Sequence, residues 1–105
     1  MDVTIKGKTY TLKYSFRALM IYENITQKNF SPQGLSDVIT FFYSVVVASS
    51  RDNNLRFDDF IDWIDDNPSS LSEFSNWLND VYKHQMEISN IKEDEKADKG
   101  DDEKN

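Results

Sequence analysis

Five aspartates, Asp58, Asp59, Asp62, Asp65 and Asp66, fall within nine residues. Carboxylates crowded this way can serve glycoside hydrolysis or divalent-metal binding. On a helix, Asp58, Asp62, Asp65 and Asp66 share one broad face. The preceding segment, SSRDNNLRFDDF, reads at first as a calcium-binding loop. Ligand spacing argues against that. With Asp59 as the twelfth position, Ala48 is the first ligand and Asn53 stands where glycine is required. Starting at Asp52 instead puts Arg56 at the fifth position and Trp63 at the last. A solvated acidic face, or a surface for a basic partner, accounts for the same residues without a metal.

Other reactive side chains are scarce. His84 is the only histidine and there is no cysteine, so thiol catalysis, thiolate metal sites and disulfides are all excluded. On the polar stretch VYKHQ, His84 reads as a helix-surface residue. Glycine occurs only at positions 7, 34 and 100, which leaves no phosphate-cradling loop. The sequence therefore predicts a non-enzymatic protein with no catalytic residue, metal or cofactor. Its remaining candidates are partner-binding residues: the exposed aspartates, Lys6 and Lys8 at the opposite charge pole, and Trp63 and Trp77, since tryptophan anchors many interfaces when it is exposed.

Charge is divided along the chain. Residues 1 to 56 carry +3, residues 57 to 91 carry −7, and residues 92 to 105 carry −3. The acidic half argues against nucleic-acid binding, which requires clustered Lys and Arg. A basic hairpin end and an acidic helical end on different surfaces would allow head-to-tail docking into a salt-sensitive homo-oligomer; the competing reading is that the asymmetry only keeps the protein in solution and Lys6, Lys8 and Lys13 contact nothing.

These residues must be positioned by few elements, because 105 residues suffice for one domain. VTI and TYTLKY alternate around Lys6, Gly7 and Lys8, predicting a β-hairpin over residues 2 to 14. Ser15 caps a helix over 15 to 26, whose Phe16, Leu19, Met20 and Ile25 recur at helical spacing and are expected on its buried side. LSDVITFFYSVVVAS is apolar nearly all round and predicts a central helix over 35 to 50. It is too short and too interrupted to cross a membrane, which takes roughly 20 apolar residues. A third helix spans 58 to 66, and a fourth, opened by a Ser70 to Glu73 capping box, spans 70 to 88. Residues 90 to 105, IKEDEKADKGDDEKN after Asn90, alternate charge with almost no apolar residue and are expected to form a disordered acidic tail. The fold class is thus α+β, mainly α: an N-terminal β-hairpin packed on about four helices, with a single globular domain over 1 to 89.

The order of these features resembles the tail assembly chaperones of long-tailed, siphovirus-type bacteriophages. KGKTYTLKYSFRAL matches the "xGKxYxLxFxFxAL" opening of that family, VITFFYSVVVAS its aromatic and β-branched second helix, and LRFDDFIDWIDDNPSSLSEF its F-D-E-F-type helix start, with Asp59 where many members have Glu. The resemblance covers most of the first 88 residues. It implies a small protein of the bacterial host cytoplasm that binds and solubilises the tape measure protein and helps recruit tail tube subunits. It carries over no catalytic or binding residue. From a different class comes the alternative of a small regulatory adaptor, encoded by a phage or mobile element, that engages a host protein through the acidic half.

A chain truncated after Ser89 is expected to unfold at the same midpoint temperature as the full chain, because residues 90 to 105 offer almost nothing to bury. Thermal melts of the two chains followed by circular dichroism check this, and a fall of many degrees refutes it.

Overall fold

A computed structural model describes residues 1–29, 34–50 and 55–100, with side chains as far as residue 84. The chain is an antiparallel hairpin of β1 (Asp2–Ile5) and β2 (Lys8–Thr11), followed by α1 (Phe16–Thr26), α2 (Leu35–Ala48), α3 (Phe57–Asp66) and α4 (Ser69–Gly100). It divides into two compact units, Met1–Ser75 and Asn76–Asn105.

In the hairpin, Val3 faces Tyr10 and Ile5 faces Lys8 across the ladder. Lys6 and Gly7 both take positive φ, 52° and 79°. That is the mirror-image two-residue turn whose twist matches the strands. Alternation buries Val3, Ile5, Tyr10 and Leu12 on one face, while Thr4 and Thr9 hydroxyls meet at 2.9 Å on the other. The paired ladder stops at Thr11, one further cross-strand bond runs from the Leu12 N–H to the Met1 carbonyl at 2.8 Å, and residues 13 to 15 lead to α1.

Ser15 caps α1, its Oγ accepting from the Ala18 N–H at 3.2 Å. The buried side of α1, however, is Ala18 and Tyr22, while Phe16, Met20 and Ile25 are exposed. Four apolar residues at helical spacing suggest the opposite face. Packing selects differently: Ala18 is fully buried, and the Tyr22 ring meets Phe41 of α2 edge to face at 5.9 Å. The C-terminus of α1 closes on Gln27, in the left-handed region with its N–H bonded to the Glu23 carbonyl. Just beyond, Lys28 pairs with Asp37 of α2 at 2.8 Å.

Helix α2 is the centre. Phe41, Phe42, Ser44, Val45 and Val46 are all buried. The Ser44 hydroxyl is accommodated by donating to the Thr40 carbonyl at 2.8 Å. Phe42 stacks on Phe74 of α4 at 4.2 Å and 4°, and meets Phe60 and Trp63 of α3 edge to face.

Two features at α4 differ from the sequence reading. Its first helical residue is Ser69, so Ser70 lies inside the first turn, 5 % exposed. Its Oγ has no hydrogen-bond partner among the described residues. Pro68, with φ already near helical values, starts the turn one residue earlier. The Asn67 and Pro68 carbonyls then accept from Ser70 and Leu71. At the other end α4 runs on to Gly100, so residues 90 to 100, expected as a disordered tail, are helical backbone; residues 101–105 lie outside the described residues. Their Glu, Lys and Ala content favours helix even where there is nothing apolar to bury. The second unit, taken alone, is this helical stretch from Asn76 onward.

Three stability outcomes follow from these contacts. Val45→Asp, at a fully buried position, is expected to abolish soluble expression by placing an unpaired charge in the core. Phe42→Ala should cost about 3–5 kcal/mol in urea unfolding. Ser70→Ala should be neutral or slightly stabilising, because it removes a buried hydroxyl without a partner. Loss of a true N-cap at that position would instead cost about 1 kcal/mol.

Candidate functional site

The acidic side of α3 is built by helical spacing alone. Asp58, Asp62, Asp65 and Asp66 are exposed, opposite the buried Phe60 and Ile64. Asp58 and Asp59 also lie in the first turn, where the helix dipole favours negative charge. Asp59 is turned off that face and half-buried, and it accepts an ion pair from Lys6 Nζ at 3.0 Å. Among the described residues no group of three His, Asp or Glu side chains could hold a metal ion. The segment that reads as a calcium loop falls partly on residues 51–54, outside the described residues.

The Lys6 pair changes the picture of two separated charge poles. The hairpin turn is joined to α3 within one molecule, so Lys6 is not on a surface remote from the acidic helix. Lys8 is likewise engaged: its Nζ donates to Ser50 Oγ at 2.9 Å and sits 5.3 Å from the Tyr10 ring centroid. The two lysines that sequence spacing marks for a partner thus each have one within the molecule, Lys6 at the surface and Lys8 half-buried.

Different cations are left over. Lys13 and Arg17 are exposed and have no acidic partner among the described residues. They line a cleft of about 300 Å³ together with Thr11, Ser15, Ala48 and Ser49. Ser15 Oγ accepts from the backbone as the α1 cap, which leaves its proton to donate. The Ser49 hydroxyl is spent on the Val46 carbonyl at 2.7 Å. Sequence reading missed this group, whose only signal is that both cations flank the cap of α1.

The tryptophans and the other aromatics exchange roles. Trp63 is half-buried, stacked on Phe60 at 5.9 Å and edge-on to Phe42; it is part of the core's margin. Trp77 is half-buried on the second unit's helix. Exposed large apolar side chains lie elsewhere, above all Phe16 at 84 % and Met20 at 62 %. One turn apart, they occupy the side of α1 opposite Ala18 and Tyr22.

Two buried or half-buried tyrosines and one lysine are perturbed in the same direction. Burial, followed by the nearby Asp37 carboxylate, pushes the Tyr22 hydroxyl above the usual tyrosine range, and burial does the same to Tyr43. The hydrogen bond to Asp37 raises the Lys28 ammonium. Groups whose folded pKa lies above the unfolded value contribute stability that is complete below the unfolded pKa and is lost as pH rises through the folded one. The melting temperature is therefore expected to hold from neutral pH to about pH 10 and fall above it. Tyr22→Phe should flatten that alkaline decline. Lys6→Ala, which removes a surface pair, should cost less than about 1 kcal/mol in urea unfolding.

No family model matches the chain, and no curated protein or solved structure is significantly similar to it.

Proposed function

We propose that this protein is a tail assembly chaperone of long-tailed bacteriophages. In that role it binds and solubilises the tape measure protein in the host cytoplasm and helps recruit tail tube subunits. The observation that carries the reading is the exposed apolar side of α1. Phe16 and Met20 add nothing to this chain's own core, yet they stand one turn apart as anchors for an apolar helical segment of a client. The hairpin, the largely apolar second helix and the F-D-D-F helix start support the same reading through their order in the sequence. Nothing in it calls for catalysis: the work is shielding apolar helix from water.

The acidic face of α3 supports the second reading, a regulatory adaptor for a host protein with a basic surface. Co-expression separates the two. Produced together with a tape measure protein of a long-tailed phage, this chain is expected to keep that protein in the soluble fraction and to copurify with it. Phe16→Ser combined with Met20→Ser should abolish the effect without lowering the melting temperature. A tape measure protein that stays insoluble and uncaptured in the presence of the intact chain ends the chaperone reading.

A further inference from the structure

We infer that the cleft at the start of α1 receives helix α3 of a second copy of the chain, with Lys13 and Arg17 facing the carboxylates of Asp58, Asp62, Asp65 and Asp66. The inference stands apart from the chaperone reading and rests on which charges the fold leaves unmatched. In a chain of net charge −7, Lys6 and Lys28 each hold a carboxylate within the molecule. Lys13 and Arg17, like the exposed Arg56 and Lys83, hold none among the described residues, and Lys13 and Arg17 line one cleft. On the other side of the balance, Asp59 is taken by Lys6, while the remaining four aspartates of α3 are exposed with no ion pair among the described residues.

The two surfaces also match in kind. The cleft, about 300 Å³, has room for carboxylate side chains. Beside its two cations it offers the Thr11 and Ser15 hydroxyls as donors. Phe16, next to both Ser15 and Arg17 in the chain, is 84 % exposed. The acidic face of α3 is bordered by Phe57, 39 % exposed, so an apolar contact accompanies the charged one. Because the contact joins two different patches, its repetition builds a ring or an open filament unless two copies exchange it reciprocally.

Net negative charge on both copies opposes their approach, but at about 0.15 M salt the Debye length of about 8 Å screens that repulsion over most of the molecule. Ion pairs within a contact survive such screening and weaken near about 1 M salt, where the length is about 3 Å. Sedimentation velocity on the full chain is therefore expected to show species heavier than the monomer at the lower salt and monomer at the higher. Lys13→Glu with Arg17→Glu should weaken association roughly tenfold or more. Asp62→Lys with Asp65→Lys should do the same. An equimolar mixture of these two variants should associate again, since each now supplies the charges the other lost. All four positions are exposed, and unchanged melting temperatures would confirm that the variants fold. A wild-type monomer at every salt and concentration overturns the inference, as does a mixture that stays monomeric or association that survives both double substitutions.

Discussion

Two adjacent phenylalanines on α2 hold the first unit together. Successive residues of a helix point about 100° apart, so Phe41 and Phe42 address different neighbours. Phe41 meets Tyr14 after the hairpin, Tyr22 of α1 and Phe74 of α4. Phe42 meets Phe60 and Trp63 of α3 and stacks on the same Phe74. Rings from every helix thus converge on one dipeptide, which is why a lone hairpin and a ten-residue α3 can be stable. Each edge-to-face or stacked pair adds about 0.5–1.5 kcal/mol beyond its buried area. The cooperativity of the unit follows, since removing either ring strips contacts from three other rings at once.

Periodicity made the elements legible and left their orientation open. The hairpin, the α1 cap at Ser15 and the extents of α1, α2 and α3 could be read from alternation, turn residues and apolar spacing. What could not be read was which side of α1 faces inward. Phe16, Leu19, Met20 and Ile25 form as good a stripe on paper as Ala18 and Tyr22. The choice depends on α2, whose Phe41 receives the Tyr22 ring, and that is a property of the pair of helices. Ser70 misled for a related reason: S-x-x-E spacing marks a cap, but Pro68 had already started the turn. The length of α4 was missed because charge alternation speaks to burial, whereas its Glu, Lys and Ala residues speak to intrinsic helix preference.

The candidate surfaces show a comparable split. That α3 carries an exposed acidic face needed only the helical repeat. Which cations oppose it needed coordinates, because Lys6, Lys8, Lys13 and Arg17 are equivalent as letters. Backbone placement separates them. The turn residue Lys6 reaches Asp59, Lys8 reaches Ser50, and the pair flanking the α1 cap is left outside any such arrangement. Net charge and its distribution along the chain are therefore poor guides to an interaction surface until internal pairs are subtracted. Exposed apolar area carries the same lesson, since the two tryptophans, the most probable anchors by residue type, are both half-buried, and a phenylalanine and a methionine stand in their place.

The Lys28 to Asp37 pair spans the connection between α1 and α2. Both ends of that connection are fixed by groups outside it: on one side the left-handed Gln27 and the Lys28 ammonium, on the other the first turn of α2. A latch of this kind separates the geometry of the helix pair from the length of chain between them. Since each doubling of a closed loop costs only about 0.6 kcal/mol, the connection between Lys28 and Gly34, the N-cap of α2, is the natural port for grafting. A reporter peptide or a small domain could be inserted there while the helices keep their register, which would turn the α1 and α2 pair into a display scaffold.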